Sequence, residues 1–156
     1  MVRTASRVAL VVAVLVVGLG LSAASAAADR DDRDTLTVVE RATTDTVVDI
    51  GTPGDSIGDS LAFGNDIYNA ANNRVVGRDE GFCVRTNPGL AWECTFTTIL
   101  TRGSLTVQGP FYDDLRDSTF AVTGGTGRFR DARGDMTLHA RNALGTEFDF
   151  VFRLIR

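Results

Sequence analysis

Apolar and polar residues alternate with a period of two along most of this chain, and this alternation constrains the fold more than any other feature. It is clearest over residues 147–155, where three phenylalanines and a leucine alternate with mostly polar residues: Phe148, Phe150, Phe152, Leu154. Successive side chains of a β-strand point to opposite faces, so the pattern is typical of half-buried strands rather than helices. The chain is therefore predicted to be all-β.

Similar short runs, separated by Gly, Pro, Asn and Asp, recur along the chain from residue 35 onward. The predicted strands cover residues 35–41, 60–68, 74–86, 91–101, 104–108, 118–123, 134–141 and 147–155, and residues 46–50 are expected to extend the first strand. Strands of this length joined by short turns favour a closed barrel or a sandwich, and closure removes exposed sheet edges. An eight-stranded barrel has room inside for side chains or for one small ligand.

The N-terminus predicts an export signal. Two arginines and no acid occur in the first seven residues, and residues 8–21 are uncharged and apolar before a tract of Ala and Ser. This order is typical of a secretory signal peptide. We assign residues 1–28 to that peptide, with cleavage near Ala26 or Ala28, and expect a secreted, extracellular protein. An uncleaved membrane anchor is the alternative, although the second half of the segment is only weakly apolar.

Charge excludes two classes of partner. Removal of the signal peptide takes two of the 16 basic residues and leaves 14 against 20 acidic ones, so the mature chain carries a net charge near −6. Such a chain is expected to bind neither nucleic acid nor, once the signal is cleaved, a membrane. Residues 29–34 are all charged and are predicted to form a flexible leader. Residues 35–156 then make one domain.

The two cysteines flank a strong turn signal, Asn87-Pro88-Gly89-Leu90. If the Pro and Gly are the central turn residues, Cys83 lies directly opposite Cys94, within disulfide range. An exported chain with only these two cysteines is expected to oxidise them. A free catalytic thiol is the competing interpretation. A metal site is not expected, because His139 is the only histidine and there is no second cysteine cluster.

Polar residues on apolar faces are the candidate site residues. Glu40 shares a face with two apolar neighbours. If that face is buried, the Glu40 carboxylate needs a partner or a raised pKa. The alternative is that Glu40 lies at the end of its strand, in contact with water. Asn65 shares the face of Phe63, where its amide must hydrogen-bond either a ligand or the backbone. Arg85 is expected opposite Trp92, where it would stack on the indole, pair with Glu40 or reach solvent.

No cofactor motif is recognised. The run Gly124-Gly125-Thr126-Gly127 lacks the lysine and the following helix of a phosphate-binding loop, so it is predicted to be a turn between strands. A catalytic triad cannot be assembled around a single histidine, and no Gly-x-Ser-x-Gly motif is present. We therefore expect no cofactor.

Two motifs carry a family resemblance. The stretch Leu105-Thr106-Val107-Gln108-Gly109-Pro110-Phe111 and the later stretch Ala121-Val122-Thr123-Gly124-Gly125-Thr126-Gly127-Arg128-Phe129 resemble the allene oxide cyclases and the related dirigent proteins. The similarity extends to residues 63–69, residues 81–84 and the Phe-rich last strand, so it covers most of residues 35–155. It implies a single eight-stranded antiparallel β-barrel with an apolar cavity, and a homotrimer, the common assembly of the plant relatives.

The resemblance also implies site residues. In the plant cyclases the barrel holds an unstable fatty-acid epoxide in the conformation that closes to a cyclopentenone, with a Glu, a water held by Asn side chains, and a Cys. Glu40 and Asn65 match the catalytic positions, while Phe63 and Cys83 match residues around the ligand.

This sequence departs from the cyclase pattern at two positions. Ala42 stands where the plant enzymes have a second water-holding Asn, so the water site would be incomplete. A disulfide between Cys94 and Cys83 would remove the free thiol that the plant cyclases have at the Cys83 position. The dirigent relatives are secreted and steer the coupling of phenoxy radicals without oxidising them, which suits an exported chain.

Three functions are consistent with these residues. In the favoured one, the barrel binds one small hydrophobic molecule and guides its cyclisation or stereoselective coupling by shape. Glu40 would polarise the ligand, Asn65 would position it or a water, and Arg85 and Trp92 would add ligand contacts. The alternatives are a non-catalytic binding module of the same fold and a cell-envelope structural barrel without a pocket. Whether the protein is an enzyme is left open by the sequence.

Overall fold

The structure is a computed structural model that describes residues 33–155, with only the backbone of Arg33. The predicted signal peptide lies outside these residues, as does most of the charged leader, but Arg33 and Asp34 belong to the first strand. Nine strands are present in the described part of the chain: β1 (Arg33–Arg41), β2 (Thr46–Val48), β3 (Ser60–Asn69), β4 (Val75–Asn87), β5 (Ala91–Leu100), β6 (Gly103–Tyr112), β7 (Ser118–Gly125), β8 (Arg133–Ala140) and β9 (Glu147–Ile155).

Eight of these strands close into an antiparallel β-barrel, as predicted. Neighbours along the chain pair from β3 to β9, β9 pairs with β1, and β1 pairs with β3 to complete the ring. A three-residue 3-10 helix, Gly127–Phe129, follows β7. The prediction that the whole Gly-rich run is a turn is wrong for its first half, because Gly124 and Gly125 end β7 and pair with β6. Among residues 33–155 no helix has the length and apolar character needed to cross a membrane.

Residues 46–50 do not extend the first strand, which corrects that prediction. Residues 46–48 form the separate strand β2, which pairs with the first half of β3. The chain leaves the sheet after Arg41 because the backbone amides of Thr43 and Thr44 both donate to the side-chain oxygen of Asn65, at 2.9 and 3.0 Å. A tertiary contact of this kind overrides the alternation of the local sequence.

Strand β6 runs four residues beyond its predicted end at Gln108. Its pairing with β7 stops at that residue, whereas its pairing with β5 continues to Tyr112. Pro110 therefore lies in a stretch with only one partner strand, where its missing N–H breaks no ladder. The proline is compatible with the strand for this reason.

Aromatic side chains fill the middle of the barrel. The ring of Phe96 lies 5.8 Å from that of Phe63, 5.0 Å from that of Phe120 and 5.4 Å from that of Phe150, measured between centroids. Gly81 is directly opposite Phe96, and a Cβ at that glycine would lie 2.7 Å from the Phe96 Cα. The absence of a side chain at Gly81 is what allows Phe96 to sit at the centre of the cluster.

Cys83 and Cys94 form the predicted disulfide inside the barrel. They are register partners on β4 and β5, and both are buried. The predicted turn is also present, since the Leu90 amide donates to the Asn87 carbonyl at 3.1 Å and Gly89 has φ +71°. The thiol of Cys83 is therefore not free.

The double variant Cys83→Ala/Cys94→Ala is expected to keep the fold but to lose about 3 kcal/mol of unfolding free energy, because a loop of about a dozen residues is no longer closed in the unfolded chain. Urea unfolding followed by circular dichroism measures this loss. Wild-type protein unfolded in reductant is the control and should lose a similar amount. An unchanged urea midpoint in both samples would show that the bond contributes nothing.

Candidate functional site

A row of buried polar side chains crosses four neighbouring strands on the inner face of the barrel. Glu40, Asn65, Asp79 and Thr98 come from β1, β3, β4 and β5, and none is more than 5% exposed. Asn65 is the register partner of Asp79, which is the register partner of Thr98. The alternation of each strand points these side chains inward at the same level of the barrel.

Asn65 is the centre of this row. Its amide nitrogen donates to Glu40 Oε1 and to Asp45 Oδ1, each at 2.9 Å. Its oxygen accepts from the backbone amides of Thr43 and Thr44 and from the Thr44 hydroxyl. The hydrogen-bonding groups of the side chain are fully used, so Asn65 ties the loop after β1 to the barrel wall and holds the carboxyl group of Glu40 in one orientation.

Glu40 is a carboxyl group in an environment that disfavours its charge. Its pKa is raised to about 8, chiefly by burial and then by the negative charges of Asp79 and Asp45, while the hydrogen bond from Asn65 acts in the opposite direction. The second oxygen of Glu40 accepts no hydrogen bond from the described residues. At neutral pH this group is therefore a protonated acid with one oxygen available to another molecule.

Asp79 is a second buried acid that the sequence analysis missed. It is fully buried, Thr98 donates to its Oδ1 at 2.9 Å, and its Oδ2 has no hydrogen-bond partner among the described residues. Burial raises its pKa to about 7 against the effect of the Thr98 hydrogen bond, and Glu80 and Asp45 add repulsion. The sequence did contain a usable signal. Asp79 lies four residues before Cys83 on β4, and residues an even number apart on a strand face the same side.

A cavity of about 190 Å³ opens from this polar row toward one end of the barrel. Its polar lining residues are Glu40 and Asp45, and both cysteines also line it. Leu115 and Leu144 lie at its rim, and Leu144 is 84% exposed. Six phenylalanines make most of its wall: Phe63, Phe96, Phe111, Phe120, Phe148 and Phe150. Since a cavity of about 150 Å³ holds benzene, the volume of this one matches a single six-membered ring.

The predicted site residues divide into two groups. Glu40, Phe63 and Cys83 line the cavity, and Asn65 lies behind Glu40 and orients it. Arg85, which was predicted to contact the ligand, is not among the lining residues. Asp45, which no sequence signal indicated, does line the cavity, because the loop after β1 folds back onto Asn65.

Arg85 and Trp92 form a separate cluster. The Arg85 guanidinium stacks 3.9 Å above the indole of Trp92, as predicted. Its acidic partners are Asp113, at 2.7 Å, and Asp55, at 2.6 Å, and not Glu40. The indole N–H also donates to Asp113, at 3.2 Å. The ion pairs of this arginine are therefore with acids other than Glu40, and the cluster is a partly exposed ion-pair network beside the β4–β5 turn.

A second, wider pocket of about 810 Å³ lies at the opposite end of the barrel, between the start of β1 and residues 127–133. Most of its lining side chains are exposed, and it includes no buried carboxyl group among the described residues. The smaller cavity combines aromatic walls with an available buried acid, so it is the candidate site.

Comparison with known proteins agrees with this architecture. The family model for dirigent-like protein matches residues 28–154. A solved pyocyanin demethylase is similar with a TM-score of 0.65 and 24% identity, covering 76% of this chain and all of that one. A pterocarpan synthase dirigent protein is similar with a TM-score of 0.60 and 16% identity, covering 78% of this chain and 92% of that one.

A Diels–Alderase from Streptomyces koyangensis also has the same fold, with a TM-score of 0.58 and 14% identity over 80% of this chain and 70% of that one. At such identities these structures establish the shared barrel and nothing finer. The family model, however, spans all nine strands except for the last residue of β9. Its match extends from the predicted end of the signal peptide through the whole barrel, and on this ground the chain belongs to the dirigent-like protein family.

Proposed function

We propose that this barrel binds one small, mainly apolar molecule in the cavity beside Glu40 and guides its cyclisation or stereoselective coupling. The observation that carries the proposal is a single one: a buried acid, with its pKa raised to about 8 and one free oxygen, faces a cavity walled by aromatic side chains. A group that holds its proton near neutral pH is suited to general acid catalysis.

The geometry suggests how the residues divide the work. Asn65 donates to one oxygen of Glu40, so the other oxygen carries the proton toward the cavity. A ligand oxygen that accepts a hydrogen bond from this carboxyl group loses electron density, and in an isomerisation the proton can return to Glu40 after the new bond has formed. The phenylalanine walls restrict the ligand to few conformations, which contributes proximity and orientation.

The comparisons support this class of function. The similar solved structures include proteins named for forming rings, a pterocarpan synthase dirigent protein and Diels–Alderases. The allene oxide cyclase mechanism is a narrower hypothesis. Glu40, Asn65 and Phe63 are arranged compatibly with it, whereas Cys83 is bonded to Cys94 and offers no thiol. Secretion and a homotrimeric assembly are further proposals; the buried disulfide supports the first.

Binding is tested first, with toluene as the probe because its ring matches the cavity volume. The protein expressed in a heterologous periplasm is expected to bind toluene in ligand-observed NMR, or to retain a small molecule in native mass spectrometry. Phe63→Trp, which adds bulk to the cavity wall, should weaken toluene binding at least tenfold. If wild-type protein neither binds toluene nor retains a small molecule, the proposal is wrong.

Catalysis is tested on a retained or identified substrate with Glu40→Gln. The amide keeps the shape of the side chain but cannot transfer a proton, so turnover should fall by about 10² to 10⁴. Substrate binding should change little. Glu93→Gln makes the same change on the exposed outer face of β5 and should leave turnover unchanged. Equal turnover in both variants would remove Glu40 from the mechanism.

A further inference from the structure

The charges around the cavity are unbalanced. Two carboxyl side chains line it, Glu40 and Asp45, and Asp79 lies behind the wall close enough to repel Glu40. No basic side chain of the described residues lines the cavity. The chain contains no lysine, and its one histidine, His139, pairs with Asp117 outside the barrel. The cavity therefore contains acids without a counter-charge.

The nearest arginines have other partners. Arg85 contacts Asp55 and Asp113, and it stacks on an indole. Arg41, which follows Glu40 on the outer face of β1, bonds to Asn72 and stacks on Tyr68. The acids of β9 also face outward, since Asp149 pairs with Arg141. Asp55, Asp113 and Asp149 each pair with an arginine, and the buried Asp59 accepts hydrogen bonds from backbone amides. Among the described residues, no ion pair is formed by Glu40.

We propose that the ligand of this cavity is a small organic cation with its charge delocalised on a single aromatic ring. The proposal rests on the ligand cavity of the proposed function and names the chemical class of the molecule bound there. Beside a cation, Glu40 acts as a carboxylate that stabilises positive charge, in place of the proton donor described for a neutral ligand. The free oxygen of Glu40 would face the positive ring, and the ring would supply the counter-charge when Glu40 releases its proton.

The cavity wall determines the kind of cation. Six phenylalanines surround the space, and the face of an aromatic ring attracts a positive charge, most strongly where water is excluded. Phenylalanine offers no hydrogen-bond acceptor, and the acceptors on the lining side chains are only the carboxylates at one end. A primary ammonium group would leave some of its N–H groups without partners, whereas a ring cation without N–H groups leaves none. The volume allows one ring.

Binding of such a cation is linked to proton release. Below its pKa, Glu40 is neutral, so a cation gains its full attraction only when the carboxyl group gives up its proton to solvent. The affinity for a cation should therefore rise by up to tenfold per pH unit below about pH 8 and level off above it. Asp79 and Asp45 are the other acids that face this position, and Asp79 titrates in the same range. A neutral ligand of the same shape should show no such dependence.

The experiment compares N-methylpyridinium with toluene, two ring compounds of nearly the same shape that differ in charge. Isothermal titration calorimetry of the mature protein is carried out between about pH 6 and pH 9. N-methylpyridinium is expected to bind at least tenfold more tightly than toluene at the highest pH. Its affinity should fall at least tenfold toward the lowest pH. Titrations in buffers of different ionisation enthalpy should show about one proton released per cation bound.

Two variants identify the acid. Glu40→Gln should keep the toluene affinity but lose both the preference for the cation and its pH dependence. The matched control Glu93→Gln, on the outer face of β5, should behave like the wild type. If Glu40→Gln does not fold, Asp45→Asn provides a second measurement and should weaken cation binding several-fold without affecting toluene.

The outcomes separate the two proposals. If toluene binds and N-methylpyridinium binds no more tightly at any pH, the ligand is not a cation, while the proposed function stands. If neither compound binds, the proposed function itself is wrong. A cation preference that survives in both Glu40→Gln and Asp45→Asn would overturn the role given to these carboxyl groups.

Discussion

The unliganded barrel should lose stability as the pH rises from about 5 to about 9. Glu40 and Asp79 have ordinary pKa values of 4.5 and 3.8, and the folded barrel raises them to about 8 and about 7. Between these limits the folded state retains protons that the unfolded chain releases, so unfolding becomes more favourable as the pH increases. A rise of about three pKa units in one group corresponds to roughly 4 kcal/mol.

The sign of this effect follows from the direction of the shifts. The full stability is present below the ordinary carboxyl pKa and is lost as the pH passes up through the raised values. Asp59 works in the opposite direction: its pKa is lowered because it accepts hydrogen bonds from the amides of Ile50 and Ser56. Its contribution is lost only in acid, below the usual carboxyl range, and therefore does not interfere between about pH 5 and pH 9.

Urea unfolding at three pH values measures the dependence. Glu40→Gln and Asp79→Asn should each flatten the curve, because each removes one of the two interacting acids. Glu93→Gln, an exposed acid on the outer face, should leave the slope as it is. A wild-type stability that stays constant or increases over this range would mean that the two buried groups are ionised throughout.

Replacing Phe96 with alanine is expected to cost about 3 to 5 kcal/mol of unfolding free energy, the usual effect of removing a buried aromatic side chain. Phe96 is 3% exposed and contacts three other phenylalanines at the centre of the barrel. Its ring also forms part of the cavity wall, so the variant should accept naphthalene, which has one ring more than the wild-type cavity holds. Thermal unfolding and ligand-observed NMR measure the two effects.

Phe82 provides the matched control. It lies on the same pair of strands as Phe96 but on the outer face of the barrel, where it is 53% exposed. Phe82→Ala should cost less than about 1 kcal/mol, since little buried surface is removed. Similar losses at the two positions would contradict the assignment of the inner and outer faces.

The sequence alone predicted most of the fold, for a local reason. The strand β9 begins and ends as the alternation of its phenylalanines indicated, and Cys83 pairs with Cys94 as the turn at Pro88 required. Side chains at alternate positions of a strand point to the same face. The inward position of Glu40 could therefore also be predicted from residues 36–40. These properties follow from a few neighbouring residues.

Other features were decided only by the closed barrel. The pairing of β1 with β3 brings Glu40 to Asn65, and the next two strand pairs place Asp79 and Thr98 beside them. Asp45 reaches the cavity because Asn65 holds the preceding loop. The alternation along a strand shows which way a side chain points, but not which side chains contact one another. The register around the ring determines those contacts, and with them the charge and size of the cavity, because each partner comes from a distant part of the chain.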